Sequence, residues 1–210
     1  MQKFDRMYQK VNASYFAFIG LIIFFIGLIP SILMHPDFSF FVTHISHLGT
    51  PSNPLHILFN ICWFVTAIFI ILFFLGFTRY LQKKNISSKG SLITCILGIL
   101  SAIGIMGMAI FNSDTIYLAH LMFELLFFVT GILYLFLYTY LELKSSEFPR
   151  SQAIFNTLVV IFFLLYLVLL ILNRIIHGLT PEAESFTEWL FLFANLFWFF
   201  ENGIYMLKKK

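Results

Sequence analysis

Of the chain's 210 residues, 60% are hydrophobic and only 11% charged, so a soluble domain of this size would lack the polar surface to cover itself. The formal charge of +3 is no sign of nucleic-acid binding, because the basic residues sit beside apolar runs rather than in a patch of their own. The composition leaves an all-α integral membrane protein, with residues 1–210 read as a single six-helix domain.

Six apolar stretches follow one another, at residues 13–34, 56–78, 91–112, 117–141, 153–173 and 187–207. Each is long enough to cross a hydrocarbon core of about 30 Å at about 1.5 Å per residue. The first is about twice the length of a signal-peptide core and has no small-x-small site after it, so it is expected to stay as a span. Of the 13 Lys and Arg, 12 fall in the N-terminal tail, the second and fourth loops and the C-terminus, leaving only Arg174 on the other side. Basic residues near spans are retained in the cytoplasm. Both termini are therefore expected there, with loops one, three and five and all six His facing outward. The localisation expected is multipass, in the cell membrane or an endomembrane.

Span one carries Ala13, Ala17, Gly20 and Gly27, and span three carries Thr94, Gly98, Ala102, Gly104 and Gly107. Small residues at this spacing let backbones approach closely in lipid, which places spans one and three at the centre of the bundle. Pro30 is expected to kink span one. Loop one, from His35 to about Pro54, is too long for a simple connector and mixes Phe38, Phe40, Phe41, Val42 and Ile45 with His44, Ser46 and His47. Such a segment should fold back as a cap on the outward end of the bundle. Ser113 to Ile116 make a tight turn, so spans three and four form an antiparallel hairpin. Between Leu158 and Leu172 span five has no small or polar residue except Tyr166, which marks it as the lipid-facing helix. Cys62 and Cys95 fall in opposite leaflets, beyond disulfide reach.

Several polar residues are out of place in such a chain. Glu124 lies well inside span four, where an ionised carboxylate costs on the order of 3 kcal/mol. His120, four residues earlier on the same face, can share a hydrogen bond with it. Glu188 and Trp189 open span six, and Asn195 and Asn202 continue the Glu188 stripe as interhelical hydrogen-bonders. Glu201 is expected to snorkel toward the C-terminal lysines. Together with His44, Ser46 and His47 of loop one, His56, Asn60 and Asn112, the residues His120, Glu124 and Glu188 define a polar mouth at the outward end. His120, Glu124 and Glu188 are its catalytic candidates. His44, His47, His120 and Glu188 are the candidate ligands should a metal bind there, with His44 and His47 in His-x-x-His spacing.

Three blocks carry a resemblance. The segment HISHLGTPSNPLHILFN, through Ile45, Ser46 and Gly49, resembles the I-S-x-x-G pattern of the DRAM, Frag and Sfk group of six-span proteins, also described as the CWH-type N-terminal domain. FNSDTIYLAHLMFELLFFVTGILY resembles a second pattern of that group through Phe111, Asn112, His120, Phe127, Gly131 and Tyr134, and Glu188-Trp189 resembles the start of its last span. The same blocks are similar to the prokaryotic family called domain of unknown function 998. At Phe123 and Glu124 the chain departs from the eukaryotic pattern of small residues. The resemblance implies a six-helix bundle and a role in membrane-lipid or membrane-trafficking biology.

Three functions are open to this pattern. The first is a protein that binds or senses membrane lipid at the outward mouth. The second is a membrane-embedded lipid hydrolase or acyl-transfer enzyme using His120, His44 or His47 with a carboxylate, Glu188 or Glu124. The third is a proton-coupled carrier with His120 and Glu124 as relay, for which no internal repeat or broken helix pair speaks. The sequence names no cofactor and no protein partner.

Overall fold

The computed structural model describes residues 7–8, 10–176 and 181–208. Six helices are long and apolar enough to cross a membrane: α1 (Ser14–Met34), α2 (His56–Lys83), α3 (Ser88–Ile110), α4 (Tyr117–Leu143), α5 (Arg150–Ile175) and α6 (Pro181–Lys208). No strand occurs among the described residues. Most helices outrun the apolar text that announces them, because a helix continues through the interface where polar residues are tolerated. Thus α5 begins at Arg150 and α6 at Pro181, both ahead of their apolar runs.

Local chemistry sets the ends. The Ser87 hydroxyl accepts a hydrogen bond from the Gly90 amide at 3.2 Å and caps α3. Asn85, in the left-handed region at φ 56°, turns the chain between α2 and α3. Pro149 stands just before α5 and Pro181 is the first residue of α6, where a missing amide proton costs nothing.

Each helix packs on its neighbours in sequence, and α1 also packs on α6, so the six form a closed ring. The small residues work as expected but between neighbours. Gly27 of α1 faces Cys62 of α2, Gly98 of α3 faces the Phe74 ring of α2, and Gly104 and Gly107 of α3 lie against Phe127 and Phe123 of α4. A side chain added at Gly107 would meet the Phe123 ring at 2.0 Å, so only glycine allows this approach. The expectation of two central helices is corrected by the ring: α3 is the most enclosed at 56%, whereas α1 is only 33% buried, and its small residues serve the α1–α2 contact. At 28%, α5 is the most lipid-exposed, as its sequence indicates.

Aromatic side chains fill the ring toward its basic end. Phe73, Phe74, Phe77, Tyr134, Tyr138 and Trp198 are all fully buried, with Phe74 and Tyr134 edge-to-face at 5.0 Å. Water exclusion contributes little between helices in lipid, so such packing and a few interhelical hydrogen bonds must hold the ring. Among the latter, Tyr134 donates to Asn195 at 3.2 Å, Gln152 to Asn202 at 2.9 Å and Ser101 to the Phe127 carbonyl at 3.1 Å. Such bonds in lipid average about 0.6 kcal/mol and reach about 1.7 kcal/mol. Asn195 and Asn202 are thus the interhelical hydrogen-bonders their spacing suggests. Cys62 and Cys95 are both free and buried.

Loop one folds back over one end of the ring, where its Ile45–Gly49 segment forms a 3-10 helix against α1, α2 and α6. Ile45 and Leu48 are buried in an apolar cluster with Phe24, Leu28, Phe59 and Trp189. That insertion explains an apolar loop outside the spans. The far side of the loop is anchored as well, since Asn53 donates to the Ser31 carbonyl at 3.0 Å and Asn60 to the Gly49 carbonyl at 2.8 Å.

Candidate functional site

Beneath this cap lies a chamber walled by α1, α2, α3, α4 and α6. Its walls are mainly apolar, with Phe24, Trp63, Met108 and Phe191 among them. Its polar groups are Ser46 from the cap, Thr66 from α2, His120 and Glu124 from α4, and Glu188 and Asn195 from α6. About 40 Å³ lies within reach of a water molecule's centre, room for a few waters when each needs at least about 10–15 Å³. In this closed form it does not hold a lipid tail.

His120 is buried and its Nδ1 lies 2.7 Å from the carbonyl oxygen of Phe111, where α3 ends. An acceptor at Nδ1 requires the proton there, so Nε2 keeps its lone pair. Glu124 takes another partner, accepting from the Tyr166 hydroxyl of α5 at 3.1 Å. The expected hydrogen bond between His120 and Glu124 is therefore not formed. Adjacency on one face does not decide the pairing, because the α3–α4 turn and the α5 tyrosine offer each group a better-placed partner.

Glu188, about two turns into α6, binds the cap. Its Oε2 lies 2.7 Å from Nδ1 of His44 and accepts the Ile45 amide at 3.2 Å. The other nitrogen of His44, Nε2, lies 3.0 Å from Oγ of Ser185. Trp189 adds a hydrogen bond from Nε1 to the Thr43 carbonyl at 2.9 Å. Burial works against a charge on His44, but the hydrogen bond and charge of Glu188, with Glu184 and Glu124 behind, outweigh it and raise the pKa above the ordinary value. His47, whose ring centre is 5.3 Å from that of His44, is shifted downward by burial and by its neighbour's charge.

The nine residues read as one polar mouth thus divide. Ser46, His120, Glu124 and Glu188 line the chamber. His44 latches the cap from outside, while His47 stands exposed beside it and lines no part of the chamber. His56 bonds the Asn53 carbonyl at 2.8 Å, Asn60 holds Gly49, and Asn112 accepts from Thr115 in the α3–α4 turn. These last three shape the backbone around the site. Among the described residues no three His, Cys, Asp or Glu are grouped so as to hold a metal ion, and both nitrogens of His44 are already engaged. His177 lies outside the described residues.

Three features escape a reading of the sequence. Ser185 and Tyr166 give no signal beyond their polarity. A second buried polar cluster, near the basic end, joins Glu142 of α4 to Asn156 of α5, and Gln152 of α5 to Asn202 of α6. The spacing of Gln152 and Asn156 by one helical turn at the start of span five is the available clue. Glu201 sits at this level with Oε2 buried and without a partner. Its expected approach to lysine is not seen for Lys208, and Lys209 and Lys210 lie outside the described residues.

The fold and composition define a multipass helical membrane protein with a capped intramembrane chamber. A family model described as protein of unknown function (DUF998) matches residues 18–200, which include the cap and nearly all six helices, and the chain belongs to that family. No curated protein and no solved structure matches it.

Proposed function

We propose that the protein binds a membrane amphiphile in the capped chamber and serves as a lipid-binding or lipid-sensing modulator. The observation that carries this reading is the chamber itself, an apolar space whose polar groups come from separate segments of the chain. An apolar pocket with a few convergent polar groups suits a ligand with an apolar body and a polar head. Ser46 and Asn195 offer hydrogen bonds to such a head, His120 offers Nε2, and Glu124 and Glu188 oppose an anionic one. The closed volume requires the cap to lift before a chain enters, and the His44–Glu188 latch governs that step.

The distribution of basic residues supports a cytoplasmic basic end and an outward-facing cap. The resemblance to the DRAM, Frag and Sfk group agrees with membrane-lipid or trafficking biology. The carrier reading loses its direct relay, since His120 and Glu124 bond to different partners. Native mass spectrometry of protein extracted from its membrane tests the proposal. Wild type should carry a non-covalent amphiphile, and Thr66→Phe, which fills the chamber, should fold without it. An adduct kept in full by Thr66→Phe would contradict the reading.

A further inference from the structure

The cap latch has a geometry that a latch alone does not need. The Glu188 carboxylate holds Nδ1 of His44 at 2.7 Å, and Nε2 of the same ring stands 3.0 Å from the Ser185 hydroxyl. A carboxylate on Nδ1 fixes the proton there, which turns the Nε2 lone pair toward Ser185 as an acceptor. Carboxylate, imidazole and hydroxyl in this order are the arrangement that activates a serine for attack on a carbonyl. Ser185 and Glu188 are fixed three residues apart on α6, and both are buried, at 2% and 6% exposure. Other roles for the Ser185 hydroxyl are poorly served, since the Val42 carbonyl lies at 3.5 Å.

We propose that Ser185 is a nucleophile, His44 its general base and Glu188 the positioning residue, acting on carboxylic esters of membrane glycerolipids. In the first half-reaction Ser185 Oγ bonds to the ester carbonyl carbon as its proton passes to His44 Nε2. The carbon–oxygen bond to the alcohol then breaks, and the same proton goes from Nε2 to the departing alkoxide. Water then attacks the acyl-serine carbonyl carbon as its proton passes to His44 Nε2, the carbon–Oγ bond breaks, and that proton goes from Nε2 to Ser185 Oγ, which frees the carboxylic acid and restores the serine. Ester and water become acid and alcohol, with no change of oxidation state. The substrate class follows from position. Phe41, Val42 and Phe186 beside the triad are exposed at 54%, 66% and 38%, so this edge of the cap meets the boundary of headgroups and chains, where apolar side chains insert and the ester linkages of glycerolipids lie. Phe41 and Phe186 stack at 4.9 Å, and their separation would admit the ester.

This activity is separable from amphiphile binding at Ser185, which does not line the chamber, whereas Glu188 borders both sites. The test uses the full chain in lipid nanodiscs with a long-chain fluorophosphonate and with phenylmethylsulfonyl fluoride, the modified residue being located by mass spectrometry. Wild type should be labelled at Ser185 and Ser185→Ala should not. His44→Gln should slow labelling by about 100-fold or more, and Glu188→Gln by roughly tenfold or more with partial recovery in Glu188→Asp. The Ser185→Cys variant covers the case of a poorly folded alanine variant. Its new thiol should alkylate faster than Cys62 and Cys95 and lose that advantage when His44→Gln is added. No labelling of wild type by either probe, labelling unaffected by His44→Gln, or a thiol in Ser185→Cys that reacts no faster than the two buried native cysteines would each overturn the proposal. Chamber binding is read separately by the non-covalent adduct, which Ser185→Ala should leave in place.

Discussion

Nδ1 of His44 and Oε2 of Glu188 lie 2.7 Å apart across 144 residues of sequence, and this contact joins the cap to the last helix. A hydrogen bond to a charged group is worth about 1.5 to 3 kcal/mol. His44→Ala should therefore destabilise the docked cap by about that amount, with the ring otherwise intact. Hydrogen exchange read over residues 43–50 checks this: amides there should exchange faster while those of α3 do not change.

The latch should depend on pH with a definite sign. The folded pKa of His44 is raised above 6.5, so its contribution is complete below about 6.5 and is lost as pH rises through the folded value. His47 shifts the other way and would oppose the effect in acid. In a His47→Gln background, exchange at the cap, corrected for the intrinsic rate at each pH, should accelerate from pH 6 toward pH 9, and His44→Gln should flatten the profile. An unchanged slope in His44→Gln would assign the dependence elsewhere.

Glu124 is held by Tyr166 rather than by its helical neighbour His120. Glu124→Gln keeps an acceptor for the tyrosine and should leave stability nearly unchanged. Glu124→Leu leaves the buried hydroxyl of Tyr166 unpaired and should cost about 1 to 3 kcal/mol. Adding Tyr166→Phe should recover part of that loss, which thermal unfolding in detergent of the single and double variants measures.

The number of spans, their order and the folding back of loop one are legible in the sequence because lipid leaves the backbone few choices and hydropathy reads the result directly. The polar depth at which Ser46, His120, Glu124 and Glu188 gather is legible for the same reason. Partners are not. Whether His120 meets Glu124 or Phe111, and whether His44 reaches Ser185, depends on helix rotation and on contacts between residues 141 positions apart. Hydropathy is silent on both. Glu142 stands just past the apolar text of span four and Asn156 near the start of that of span five, yet the two meet inside the ring because α4 and α5 run beyond that text.

The orientation is open to a labelling test. Ser52 on the cap and Ser88 at the start of α3 are both exposed, and the native cysteines are buried. In intact cells Ser52→Cys should react with an impermeant thiol reagent and Ser88→Cys should react only after lysis. The reverse would place the cap and chamber mouth in the cytoplasm.

The most direct measurement is a high-resolution density map of the wild-type protein in native-lipid nanodiscs, read inside the ring between Ser46, His120 and Asn195. Amphiphile binding requires elongated density with its polar end among these residues and its apolar end against Trp63 and Phe191, lost in Thr66→Phe. A wild-type chamber closed to its present volume, holding only isolated water-sized features in every class of particle, would contradict amphiphile binding.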